Sequence, residues 1–141
     1  MHKIQLPATF ENFDAFMEFV QKVTQKSGFD ESTQKKILLA CEEIILNIIK
    51  YAYPEKDGEI ALVVRKTSEK DGFAIEISDW GIPFDPLKAK EPDIHAPLQE
   101  RAIGGLGIFL TRKIMDKVEY KRKNDKNEVI LIKYRKSNDM D

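Results

Sequence analysis

Three places in the sequence combine residue types that can do chemistry. Glu43 and Asn47 stand four residues apart in an apolar run, so a single helical turn points a carboxylate and an amide the same way. Only the carboxylate can accept a proton. At Asp79-Trp80-Gly81-Ile82-Pro83-Phe84 an alternating stretch runs into an acid, then a glycine, then a proline. An acid there can accept from an exocyclic amine while the glycine backbone packs against a flat ring. Gly104-Gly105-Leu106-Gly107 precedes an apolar helical run beginning at Ile108 and Phe109. Glycines let backbone N–H groups approach an anion, and a helix N-terminus adds free donors, which makes phosphate the natural ligand. Leu110 replaces the last glycine of a dinucleotide-fold fingerprint, and the Lys-Ser/Thr ending of a Walker loop is absent.

Each signal has a plainer reading when taken alone. A Glu/Asn pair is common on solvated helix surfaces, Asp-x-Gly ends many ordinary strands, and a glycine cluster can be a hinge or cap. The helix carrying Glu43 and Asn47 is unusual, however. Ile37, Cys41, Ile44, Ile45, Ile48 and Ala52 form its core stripe, while Leu39, Leu46, Ala40 and Tyr51 nearly complete an apolar cylinder. Only a narrow polar strip of Lys36, Glu43, Asn47 and Lys50 remains.

The elements that must position these groups follow from periodicity and punctuation. Lys3 to Leu6 reads as a strand, and Thr9 can cap a helix carrying Phe13, Phe16, Met17, Val20 and Val23. Asp30 can cap the second helix, which runs to about Ala52 and stops before Pro54. After the Asp57-Gly58 turn, Ile60 to Lys66 and Phe73 to Ser78 read as a hairpin closed by Glu69 to Gly72. Residues 84 to 103 are loop-like, Leu106 to Met115 is helical, and Val118 to Arg122 with Val129 to Tyr134 flank an Asn124-Asp125-Lys126-Asn127 turn. This order separates helices from strands, as in a two-layer α+β domain whose hairpins favour a mostly antiparallel sheet. A loop of that length is a lid or binding-loop signal.

The 141 residues, 42% of them hydrophobic, suit one domain spanning 1–141. Charged residues make up 33%, but 23 Lys plus Arg face 24 Asp plus Glu. The net charge of -1 provides no global field for nucleic acid. No apolar run suggests a signal peptide or membrane span, so a cytoplasmic protein without a membrane partner is expected. The one cysteine, Cys41, excludes an intrachain disulfide and reads as a small core hydrophobe. His95 is a lone loop histidine, and Phe13, Phe16 and Phe19 suit core or dimer contacts better than a cofactor box.

Taken in order, Glu43-x-x-x-Asn47, Asp79-x-Gly81-x-Pro83-Phe84, a lid-length loop and Gly104-Gly105-x-Gly107 resemble the N, G1 and G2 boxes of the GHKL superfamily. The wording Asp79-Trp80-Gly81-Ile82-Pro83-Phe84-Asp85-Pro86 and Ile103-Gly104-Gly105-Leu106-Gly107-Ile108 looks closest to its anti-sigma-factor serine/threonine kinases. The resemblance implies a two-layer α/β sandwich of the Bergerat type, with a mostly antiparallel mixed sheet and an ATP lid at about 85–103. It implies ATP and Mg²⁺ as cofactors, Asn47 as the metal ligand, and Glu43 as the general base. Asp79 would accept from the adenine amino group, Gly81 and Pro83 would border the ring, and Gly104, Gly105, Leu106 and Gly107 would cradle the phosphates. Lys50 and Arg101 are candidate phosphate partners, each equally readable as a surface charge.

The implied activity is phosphorylation of an anti-sigma-factor antagonist, coupled to sequestration of a sigma factor; a homodimer is compatible with it. The other readings are a nucleotide-dependent binding module, an ATP-hydrolysing switch, and a detached histidine-kinase catalytic half. The last is disfavoured because no phosphoacceptor helix precedes the domain. Two departures stand out. Asn127-Glu128-Val129 occupies the place where many relatives carry a Gly-Thr pair that helps hold adenine, and the first helix lacks an arginine that some members turn toward partners.

Overall fold

The computed structural model describes residues 1–85 and 105–135, with the side chains of 105 and 106 outside that description. The expected lid, with Arg101 and Gly104, lies outside the described residues. In chain order the elements are β1 (His2–Pro7), a 3-10 turn (Phe10–Asn12), α1 (Phe13–Gln25), α2 (Glu31–Tyr51), β2 (Glu59–Lys66) and β3 (Gly72–Asp79). Then come α3 (Gly105–Ile114), β4 (Lys117–Lys123) and β5 (Lys126–Tyr134). The strands form one sheet in the order β1-β2-β3-β5-β4, and each of its four pairings is antiparallel. The architecture is α+β, as the sequence implies.

Alternation along the strands decides which face the helices cover. Val64, Ile75 and Leu131 are cross-strand partners in one row, and Leu62, Ile77 and Val129 in the next. All six are buried with Phe16 and Val20 of α1 and Ile37, Cys41, Ile44, Ile45 and Ile48 of α2. The opposite face carries charged pairs, Arg65 with Glu76 at 2.5 Å and Lys121 with Glu128 at 3.2 Å. One further row up the helix-facing side, the partners are Ile60, Asp79 and Asn127. The core face thus turns polar at one end of the sheet.

Helix α2 begins where Asp30 Oδ1 accepts from the Thr33 N–H at 2.7 Å, satisfying one of the free donors of its first turn. Its predicted stripe from Ile37 to Ala52 is buried throughout, whereas Leu39 and Tyr51 are exposed. Burial of Cys41 pushes its thiol up to about 12, so it acts as a hydrophobe. Two boundaries differ from the sequence reading by more than one residue. Thr9 makes no side-chain cap, because Phe10–Asn12 forms a 3-10 turn before α1. The last hairpin turns on Asn124 and Asp125 alone, both at positive φ (54° and 64°), so β5 starts three residues earlier than Val129. That shift moves Asn127 out of the turn and into the sheet, opposite Asp79.

Candidate active site

The site is arranged along α2. Asn47 is only 6% exposed, and its Nδ2 donates to Glu43 Oε2 at 3.1 Å. That bond uses the amide's donor side and leaves Oδ1 without a hydrogen-bond partner among the described residues. The first turn of α3 comes down on Glu43, since a Cβ at Gly107 would overlap its carboxylate. Any larger residue there would force the Glu43 side chain or the α3 turn to move. Thr111 Oγ1, buried in the same helix, donates to the Gly107 carbonyl at 3.0 Å.

The other end of α2 meets the strand-ending turn. A Cβ at Gly81 would strike the Ala52 carbonyl oxygen, the same oxygen that accepts from the Ile82 N–H at 2.9 Å. Asp79, 4% exposed, accepts on Oδ1 from the Gly81 N–H and from Asn127 Nδ2, both at 2.9 Å. Its carboxyl is pushed above the ordinary carboxylate value, chiefly by burial, with the Asn127 and Gly81 bonds and the nearby Arg122 charge opposing the rise. Nine residues of helix separate Glu43 from Ala52, a rise of roughly 13 Å. A nucleoside triphosphate can bridge that span, base at one end and phosphates at the other.

The predicted residues thus fall into two groups joined by one helix, Glu43, Asn47 and Gly107 together and Asp79 with Gly81. Gly105 opens α3, and Lys50 is exposed further along α2. Pro83 is exposed and lines a groove of about 560 Å³ with Ala52, Tyr53, Trp80 and Arg122. Glu43, Asn47 and Gly107 do not line that groove.

Asn127, which the sequence marks only as a departure from the Gly-Thr pair, holds the Asp79 turn together with three residues that sequence reasoning did not single out. Tyr120 Oη donates to Asn127 Oδ1 at 2.6 Å, and Arg122 Nη1 donates to the Gly81 carbonyl at 2.7 Å. Tyr53 Oη accepts from the Trp80 N–H at 2.7 Å and donates to the Glu59 carbonyl at 2.6 Å, with its ring against Gly58. The usable signal for Asn127 was the Asn124-Asp125 pair, a two-residue hairpin turn that sets the register.

A cation beside α2 would find one unengaged amide oxygen, Asn47 Oδ1. Among the described residues no group of three His, Cys, Asp or Glu side chains could cage a metal. This composition fits Mg²⁺, a hard ion that keeps its waters and takes phosphate oxygens, better than zinc or calcium.

Comparison with known proteins places the fold in a family. Residues 6–133 match the histidine kinase-like ATPase domain, and the chain belongs to that family. It is similar to the serine-protein kinase RsbW of Listeria monocytogenes serovar 1/2a, 31% identical over 121 residues covering 82% of this chain and 76% of the relative. It is also similar to the RsbW of Bacillus cereus strain AH187, 28% identical over 136 residues covering 94% and 83%. Among solved structures it resembles the histidine kinase domain of the Erythrobacter litoralis EL346 blue-light activated histidine kinase, with a TM-score of 0.54. That match has 15% identity and covers 85% of this chain and 59% of the other, so it is a likeness of fold. No helix among the described residues is long and apolar enough to cross a membrane.

Proposed function

We propose that this chain is a single-domain cytoplasmic serine/threonine protein kinase that uses ATP and Mg²⁺. Its substrate would be an anti-sigma-factor antagonist, and its second partner a sigma factor. The observation that carries the reading is the contact of Glu43, itself bonded to Asn47, with the first turn of α3 at Gly107, while Asp79 lies at the other end of α2. Similarity to two serine-protein kinases over most of the chain supports the same branch.

In this reading Asp79 Oδ2 accepts from the adenine amino group, and Gly81 lets the ring lie against the chain. Gly105 and Gly107 bring backbone N–H groups to the phosphates, with the α3 dipole favouring the negative charge. Asn47 Oδ1 would hold Mg²⁺, which would supply charge neutralisation at the phosphates. Glu43 takes the proton from the substrate hydroxyl as that oxygen bonds to the γ-phosphorus. The bond from the γ-phosphorus to the β,γ-bridging oxygen breaks, and ADP leaves. Orientation and charge neutralisation supply most of the acceleration.

The test is γ-labelled ATP added to the protein with lysate from its source, followed by identification of the labelled protein and amino acid. Phosphoserine or phosphothreonine on a small antagonist protein supports the kinase. Phosphohistidine favours a detached histidine-kinase domain, free phosphate alone an ATPase switch, and no turnover a nucleotide-dependent binding module.

Gly107→Ala gives a sharper local result. The new methyl must push the α3 turn away or turn Glu43 off Asn47. Phosphotransfer is expected to fall on the order of 10²-fold, as a displacement near 1 Å does in a positioned reaction. Single-turnover assays beside a thermal melt check this, and wild-type transfer by a folded variant contradicts the close contact.

A further inference from the structure

Asn127 is a buried amide in which every hydrogen-bonding position is used. It is 2% exposed. Its Nδ2 donates to Asp79 Oδ1 at 2.9 Å and to the Ile82 carbonyl at 2.7 Å. Its Oδ1 accepts from Tyr120 Oη at 2.6 Å and, more weakly, from the Phe84 N–H at 3.4 Å. The two acceptors on one side and two donors on the other fix which way the amide points. No other side chain of this size offers that combination. A threonine has one hydroxyl, which cannot donate to Asp79 and Ile82 together, and an aspartate has no donor at all when ionised.

The consequence falls on Asp79. Its Oδ1 already receives two N–H groups, from Gly81 and Asn127, while Oδ2 has no partner among the described residues. We propose that Asn127 is the positioning residue of the base subsite, consuming Asp79 Oδ1 and anchoring the 82–84 turn so that Asp79 Oδ2 alone is offered to the amino group of the base. Hydrogen bonds to an ionised carboxylate also favour its charged form, and here they oppose the burial that pushes the Asp79 carboxyl up. Asn127 therefore keeps the group an acceptor as well as aiming it. Tyr120 holds Asn127 in turn, so β4 and β5 fix the base-reading turn from outside. The inference rests on the nucleotide reading above and adds a residue that distinguishes adenine from guanine by acting through another.

Calorimetric titrations with ATP and with GTP, each with MgCl₂, test it on the wild type and on Asn127→Thr, Asn127→Asp and Tyr120→Phe. Thermal melts serve as the folding control. In Asn127→Thr the ATP-over-GTP ratio is expected to fall about tenfold, the order of one bond to a charged group, with GTP affinity little changed. Tyr120→Phe is expected to lower the ratio in the same direction by a smaller factor. Asn127→Asp creates a carboxyl pair that binds ATP only while it shares a proton. Relative to the wild type, its ATP affinity should therefore fall as pH rises from 6 to 9. A residue serving only packing would lower both nucleotide affinities together and would not introduce that pH slope. A wild type with no preference for ATP over GTP overturns the nucleotide reading and this inference together. A wild-type preference retained in Asn127→Thr and Tyr120→Phe, with no new slope in Asn127→Asp, overturns the role of Asn127 alone.

Discussion

Glu43→Gln is expected to keep ATP·Mg²⁺ affinity within a few fold of the wild type and to lose about 10²–10⁴ in phosphotransfer, the range a positioned proton acceptor supplies. The local geometry is what makes the two effects separable. Glu43 Oε2 accepts from Asn47 Nδ2, and the amide oxygen of a glutamine can accept that bond in the same place. Asn47 then keeps its orientation, with Oδ1 still available to the proposed cation. A glutamine also matches the glutamate in size, so the contact beneath Gly107 survives. What disappears is the ability to take a proton. Asn47→Ala is expected to behave differently, because it would remove the proposed cation ligand and leave Glu43 without its donor, so metal-dependent nucleotide binding should fall as well. Single-turnover transfer to the identified substrate, beside a binding titration, reads both. Wild-type transfer by Glu43→Gln would remove the general base and favour the nucleotide-dependent binding module.

The frame of this site is legible in the sequence wherever local chemistry is also the global constraint. Helix α2 announces its start through Asp30 and its buried side through the Ile37 to Ala52 spacing, and both hold. Glu43 and Asn47 can be paired because four residues make one turn, and Gly81 can be placed because the chain must turn after Asp79. Partnerships across the sheet are harder to read. Asn127 sits in an alternating strand, but its alternation is polar, since it faces a carboxylate rather than the core. Hydrophobic periodicity therefore starts at Val129, and the strand reads three residues short. Tyr53, Tyr120 and Arg122 escape for a related reason. Tyr53 and Arg122 act on main-chain groups 27 and 41 residues away, which nothing in the local pattern couples, and Tyr120 meets Asn127 only once the hairpin register is set. The close approach of Gly107 to Glu43 belongs to the same class, because only tertiary packing of α3 on α2 brings them together.

Asp79→Asn is expected to reverse the base preference and to raise stability at neutral pH. An asparagine Oδ1 can still accept from the Gly81 N–H and Asn127 Nδ2, so the turn is retained. The change falls on the other atom, where an NH₂ group replaces Oδ2. Facing adenine it sets donor against donor, whereas the guanine carbonyl can accept from it. ATP affinity should fall by on the order of 10²-fold or more while GTP binding improves, the asymmetry expected when a buried polar group loses its match. The stability effect has a defined sign. Burial raises the Asp79 carboxyl in the folded protein, so between the unfolded and folded values the native state holds more protons than the unfolded one. Stability therefore falls as pH rises through the folded value, and at neutral pH the wild type carries the full cost of a buried charge. The variant has no such group. Its melting temperature should exceed that of the wild type at pH 7, with the difference shrinking as the pH is lowered through the raised Asp79 value. Thermal melts across pH 4 to 8, paired with ATP and GTP titrations, measure both effects. A variant that melts below the wild type at pH 7 yet binds ATP as well would show that the Asp79 carboxylate stabilises the fold and does not read the base.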